Sequence, residues 1–338
     1  MLIHMDGFDS YSTGSDLYFQ YSGYGGIGTT AGRFGQGAYE VTNYYHYLSK
    51  TFANPVTEIW SGWAMKCNAT SGVAPLFLIT SSSGIEAELY YNVTSSSWYA
   101  TKGQAGSQIG NSGTRNVSDN NWHFIEFHYK CDTSVGIVEL WVDNSQVFYN
   151  SGYNTTYYGS LSFTGVRFAG DSSNAIAAIY DDWYILDAES GAHNTTRLGD
   201  SRIQTLRPSS DVGPNNGTPS VAGPHYEMVN APQNNGGATT ITLTGTSGQE
   251  ELFGMTSLAS TPTTIFAARV LNYAEKTDAG TLNANAVISS NSIVGNGNTQ
   301  ALLTNFTGNF GIFETDPSTS NAWSPSAINS VACGFKIA

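Results

Sequence analysis

The chain has 338 residues, with 13 Lys and Arg against 26 Asp and Glu and a formal net charge of −13. That length suits about two domains, each able to bury its own core, and the acidic balance argues against a phosphate-backbone partner, so no nucleic acid is expected. With 37 Gly, 13% aromatic and only 12% charged residues, disorder and coiled coils are disfavoured and an all-β chain rich in turns is expected. Leu2 to Tyr11 predicts an opening strand, followed by a Tyr- and Gly-rich loop over 18–28. Alternating strands are predicted around 58–66, 74–80, 84–91 and 98–100. Ser and Gly breaks separate them every eight to twelve residues or so, the rhythm of a sandwich.

The chain is organised around 121–144. Two alternating runs, Trp122 to Lys130 and Gly136 to Val142, flank Cys131-Asp132-Thr133-Ser134 and predict a central β-hairpin. His123, Ile125, Phe127 and Tyr129 share one face, and Trp122, Phe124, Glu126 and His128 the other, so one set fills a core and the other is partly covered or forms an outer surface. Asp143-Asn144 predicts the next turn, because both side chains tolerate left-handed backbone, and 146–149 follows as a further strand. After Leu186 the apolar rhythm stops, which divides the chain into 1–195 and 196–338. Leu198 to Pro208 reads as a strand and 209–223 as a loop with two prolines. Strands follow over 239–244, 249–255, 264–274, 280–288, 304–314 and 331–337. A short helix over 324–330 takes Ser324 as N-cap and Pro325 at its first position.

The N-terminus lacks a basic region followed by an apolar core, and no stretch is long and apolar enough to span a bilayer, so a soluble chain made in a cytosol, without membrane insertion, is expected. Cys67, Cys131 and Cys333 have no ligand spacing and read as reduced thiols. Sequons at Asn68, Asn92, Asn116, Asn154, Asn194, Asn216 and Asn305 follow from an Asn-, Ser- and Thr-rich composition.

Three segments, in order, resemble laminin-G-like, concanavalin A-like jelly rolls: Gly32-Arg33-Phe34-Gly35-Gln36-Gly37-Ala38, the hairpin of Trp122-His123-Phe124 with Val138-Glu139-Leu140-Trp141-Val142-Asp143-Asn144, and Ala178-Ile179-Tyr180-Asp181-Asp182-Trp183-Tyr184-Ile185. The resemblance implies an all-β fold, a concanavalin A-like jelly-roll sandwich over 1–195 followed by a smaller β-sandwich over 196–338. That fold hosts lectins, hydrolases and structural modules alike. Leu198 to Pro208 and Phe313 to Asn329 resemble recurring segments of bacteriophage virion structural proteins. This second resemblance implies a non-enzymatic virion protein of tail-fibre, tail-tip or capsid-surface type, made in the host bacterial cytoplasm. Its expected partners are copies of itself, as a trimer first, other virion proteins and host surface glycan.

Three kinds of chemistry remain open. Concanavalin A-like hydrolases carry carboxylates at i, i+2 on one strand, about 6–7 Å apart, within glycosidase range. Glu86 and Glu88 have that spacing, and a polysaccharide-degrading glycoside hydrolase is the alternative function; the bland reading is a solvated strand face. Asp6, Asp181 and Asp182, with Asp9 and Asp171, offer oxygen ligands for Ca²⁺; the bland reading is a loop-tethering carboxylate, and no cofactor is the expectation. Tyr44, Tyr45, Tyr47, Trp98, Tyr99, Tyr153, Tyr157 and Tyr158, with Tyr90 and Tyr91, exceed what one core needs and read as a glycan or subunit contact surface.

Overall fold

Along Trp122–Lys130 the two side-chain sets part as alternation demands: Ile125, Phe127 and Tyr129 are wholly buried in an apolar core, while Glu126 and His128 face away from it. In the computed structural model, residues 1–24, 26–28, 32–34, 37–41, 46–168, 176–189, 191, 193–231 and 235–338 are described. The chain forms two compact units, Met1–Ile203 and Gln204–Ala338.

The first unit holds β1 (Leu2–Asp6), β2 (Ser22–Tyr24), β3 (Gly26–Gly28), β4 (Ala38–Val41), β5 (Tyr47–Val56), β6 (Glu58–Cys67), β7 (Val73–Ser81), β8 (Gly84–Asn92), β9 (Ser97–Lys102) and β10 (Gly113–Thr114). It continues with β11 (Trp122–Lys130), β12 (Gly136–Val142), β13 (Ser145–Tyr153), β14 (Phe163–Phe168) and β15 (Ala178–Asp187). An eight-stranded antiparallel sheet runs β13-β12-β11-β6-β15-β4-β3, with β1 paired to β15, and a seven-stranded sheet runs β10-β9-β8-β7-β14-β5-β2. One core of both sheets' inner residues, including Trp63, Phe77, Leu89, Trp98, Phe127, Leu140, Phe168 and Trp183, joins them into a sandwich. The expected hairpin is present as β11 and β12, with Phe127 opposite Leu140 and His128 opposite Glu139. Asp143 and Asn144 sit at φ 51° and 60°, the left-handed pair that a two-residue hairpin turn requires.

The second unit has β16 (Pro208–Asn215), β17 (Thr218–Pro219), β18 (Ile241–Thr242), β19 (Glu250–Met255), β20 (Ala268–Ala274), β21 (Asn283–Ser290), β22 (Ile293–Asn296), β23 (Gln300–Ala301), β24 (Thr307–Phe313), α1 (Pro325–Ile328) and β25 (Ala332–Ile337). A six-stranded sheet runs β16-β19-β25-β21-β22, with β23 on β21, and β20 pairs with β24. Val270 of that ribbon joins Ala286, Ile288, Trp323, Ile328 and Val331 in the unit's core. Ser324 caps the helix as expected, its hydroxyl accepting the Ala327 amide at 3.1 Å.

Two expectations around the junction are corrected. Leu198 to Ile203 forms no strand, because its backbone amides go to side chains: Leu198 to the Tyr184 hydroxyl at 3.0 Å, Gly199 to Glu126 at 2.8 Å and Ile203 to Asp182 at 2.7 Å. Pro208–Asn215, expected within a loop, is a strand that pairs on one side only, with β19. An edge strand needs no alternating apolar face and tolerates proline, so its polar sequence hid it.

Candidate functional site

On the outer face of the eight-stranded sheet, β11 and β12 bring Glu126, His128, Glu139 and Trp141 together, and β6 adds Glu58 and Trp60. His128 lies flat on Trp60, ring centroids 4.4 Å apart and planes 10° apart. Its Nε2 meets Glu58 at 2.8 Å and its Nδ1 meets Glu139 at 3.2 Å, while Lys130 adds an ion pair to Glu58 at 3.2 Å. Burial alone would lower the His128 pKa, but the bonds to Glu139 and Glu58 hold it above the ordinary imidazole value. The bond from His128 holds Glu58 below the usual carboxylate range. Burial would raise Glu139, yet the bonds from His128, the Trp141 indole and Gln146 hold it low as well. The result is a carboxylate–imidazole–carboxylate row whose bonds favour the charged form of all three groups.

Glu126 anchors the other half. It accepts the Tyr184 hydroxyl at 2.5 Å, the Gly199 amide at 2.8 Å and Arg197 Nη1 at 2.8 Å. Tyr184 reaches it by lying over Gly62, where a Cβ would stand 2.2 Å from the ring, so only glycine fits. Arg197 Nη1 also donates to Asn144 at 2.9 Å, and the guanidinium sits 4.0 Å from the Trp141 ring centroid. Trp60, Glu139, Trp141, Asn144, Thr196, Arg197, Leu198 and Gly199 line an open depression of about 470 Å³. A carboxylate has about four lone-pair sites; Glu139 gives two on Oε1 to Trp141 and Gln146 and one on Oε2 to His128. The fourth remains for a ligand's hydroxyl or a reacting proton.

The carboxylates expected from spacing alone lie elsewhere and are corrected. Glu86 and Glu88 are on the outer face of the seven-stranded sheet, 0% and 2% exposed, so they form no solvated strand face. Glu86 Oε2 accepts the backbone amides of Tyr157 at 2.8 Å and Tyr158 at 3.2 Å, and Glu88 accepts the Tyr90 hydroxyl at 2.8 Å and the Ala105 amide at 2.7 Å. They hold loops.

The residues read as an aromatic contact surface differ in exposure. Trp98 is corrected from a contact residue to a core residue, 0% exposed, with its indole donating to the Arg115 carbonyl at 2.9 Å. Tyr99 is half-buried and stacked on Tyr90, Tyr47 is partly buried beside Arg167, and Tyr153, Tyr157 and Tyr158 are exposed. Tyr44 and Tyr45 lie outside the described residues.

The Ca²⁺ candidates are bonded within the chain. Asp6 accepts the Phe8 amide and the Tyr11 and Tyr21 hydroxyls; Asp181 accepts the Arg33 and Asp182 amides; Asp182 accepts the Ile203 amide and lies 3.6 Å from Arg33 Nη1. Each of these carboxylates thus already accepts hydrogen bonds from the chain, and burial raises the pKa of both Asp181 and Asp182. Asp9 accepts the Gly37 amide, and Asp171 lies outside the described residues. Among the described residues no group of three His, Cys, Asp or Glu side chains is arranged to hold a metal.

No protein-family model matches the chain, and no curated protein matches it. Solved structures do. An alginate lyase is similar at 13% identity and a TM-score of 0.39, over 54% of this chain and 95% of that one. A cellulose-induced protein is similar at 14% identity and a TM-score of 0.39, over 58% and 93%. A carbohydrate esterase of a Shiga toxin-encoding bacteriophage is similar at 15% identity and a TM-score of 0.36, over 54% and 98%. At these values the likeness carries no argument about chemistry. It does correct one expectation: a non-enzymatic protein is overturned as the default, since proteins named for carbohydrate-processing activity recur among the similar structures.

Proposed function

We propose that this chain is a bacteriophage virion component whose first unit binds and degrades host-surface polysaccharide in the Trp60–Trp141 depression. The observation that carries this reading is the hydrogen-bonded Glu58–His128–Glu139 row beside two tryptophans and Arg197, in an open depression. Carbohydrate sites combine such aromatic walls with a few fixed polar groups. Glu139, kept ionised and holding one spare lone-pair site, is the group placed to accept a proton or hydroxyl from a bound sugar. Both nitrogens of His128 are committed, so His128 is a positioning residue that fixes Glu139.

The virion assignment rests on the resemblance of the Leu198–Pro208 and Phe313–Asn329 segments, and with it go the remaining proposals: location on the particle, contact with copies of itself and other virion proteins, and a homotrimer. The exposed Tyr153, Tyr157 and Tyr158 are the described residues offered to such contacts. A monomer in native mass spectrometry at micromolar concentration would remove the trimer.

For the site itself, the full chain is incubated with purified host-envelope polysaccharide, and binding and chain cleavage are read separately. Wild type is expected to bind and to release new chain ends; Glu139→Gln keeps binding and loses cleavage; Trp141→Ala weakens binding. Cleavage that persists in Glu139→Gln would move the chemistry elsewhere, and no binding by wild type would end the reading.

A further inference from the structure

The depression presents a cationic edge that no described residue uses. Arg197 spends both Nη1 hydrogens, on Glu126 and Asn144. Among the described residues its Nε and Nη2 hydrogens have no partner, and its side chain is 27% exposed where it lines the depression. The guanidinium is not free to swing: the ring of Trp141 lies 4.0 Å below it and Glu126, 2% exposed, holds one end. A guanidinium held at one nitrogen leaves its Nε–Nη2 edge presented, and that edge matches a carboxylate in two parallel hydrogen bonds. In the same depression Glu139 keeps a single acceptor site, which matches a hydroxyl and repels a second anion.

We propose, resting on the carbohydrate reading above, that the depression is specific for an acidic sugar, its carboxylate seated on the Nε–Nη2 edge of Arg197 and one of its hydroxyls on Glu139. Local charge does not oppose this. Glu126 is paired with Arg197, Glu58 with Lys130 and His128, and Glu139 with His128, so each carboxylate of the site has a basic partner although the chain carries −13. The remaining negative charge is screened beyond about 8–10 Å at physiological salt. Trp141 turns the preference into geometry, since it fixes the plane of the fork. Arg197 is thereby a specificity-determining residue. A uronic acid and a sialic acid both carry the required carboxylate.

The test compares the full chain against four soluble oligosaccharides of similar length: an oligouronate, the same oligouronate with its carboxylates methyl-esterified, a sialylated oligosaccharide and a neutral one. The expected result is binding of one or both carboxylated ligands about tenfold tighter than the neutral one, the difference one charge-assisted bond makes, with the preference lost on esterification. The uronate and sialylate arms separate the two sources. Arg197→Gln should bring acidic and neutral ligands level, and Arg197→Lys should keep part of the preference, because charge survives without the fork. Equal binding of neutral, esterified and acidic ligands would overturn acidic specificity while leaving the carbohydrate reading intact; absence of binding to all four would overturn both. The ester comparison needs no variant, so it decides the matter even if Arg197→Gln fails to fold.

Discussion

The two outer faces of the first unit carry the same sequence signature and use it in opposite ways. On β8, Glu86 and Glu88 alternate with apolar residues; on β11 and β12, Glu126, His128, Glu139 and Trp141 do the same. The first pair is closed over by backbone, with amides of 105, 157 and 158 on its oxygens. The second set is met mainly by side chains, one imidazole, one guanidinium and one phenol, with the Gly199 amide added on Glu126, and stays beside open volume. Spacing along a strand therefore identifies neither a site nor a scaffold. What separates the two faces is the basic partner: an imidazole or a guanidinium bonds Glu58, Glu126 and Glu139 beside the depression, whereas backbone amides reach the oxygens of Glu86 and Glu88.

Breaking the common support of both faces should have the largest effect. Phe127→Ala removes a wholly buried ring between the sheets, in edge-to-face contact with Phe77 at 6.2 Å, and is expected to cost about 3–5 kcal/mol in denaturant unfolding. A loss under about 1 kcal/mol would mean that the core does not close there. Next is Glu86→Ala, which strips two part-buried amides of their acceptor and is expected to cost about 1–3 kcal/mol without changing sugar binding. If Glu86→Ala instead abolished cleavage while the protein stayed folded, the comparison would be reversed.

The other face should show itself in pH. His128 has a folded-state pKa above its unfolded value, so its contribution is fully present below about pH 6.5 and is lost as pH rises through the folded pKa. Glu58 and Glu139 are lowered, so theirs is present above about pH 4.5 and is lost as pH falls through their folded values. Stability should peak between those limits, and His128→Gln should flatten the fall on the alkaline side. Glu86→Gln should leave it unchanged. An alkaline slope identical in wild type and His128→Gln would show that the imidazolium row does not form.

The fold was legible where pattern is local. Ile125, Phe127 and Tyr129 alternate with Glu126 and His128 on one strand, and Asp143-Asn144 announces its own turn. Ser324 and Pro325 mark a helix start without any distant partner. The site was not legible, because Arg197 reaches Glu126 across 71 residues and Tyr184 across 58, and nothing along the chain records that Leu198 and Gly199 give their amides to those side chains. The face assignment of Glu126 and His128 was available from the hairpin; what was missing was that β6 places Trp60 opposite His128. Excess tyrosine pointed elsewhere, since composition cannot separate Trp98, sealed in the core, from Tyr157, half exposed.

The smallest expected effect tests whether the face closed by Glu86 holds its tyrosines for stability or merely by their backbone. Glu86 bonds the amides of Tyr157 and Tyr158, which any residue supplies, and both rings are about half exposed, at 51% and 50%. The two rings meet edge to face at 4.9 Å, and Tyr157 lies against Gly103 and Tyr158 against Gly84, a modest apolar contact at the surface. Tyr158→Ser should therefore change unfolding free energy by no more than about 0.5 kcal/mol, far less than Glu86→Ala, and should leave sugar binding unaltered. A loss as large as that of Glu86→Ala would place the rings, and not the amides, at the centre of the loop's attachment, and the contrast between a face sealed by backbone and a face met by side chains would no longer hold.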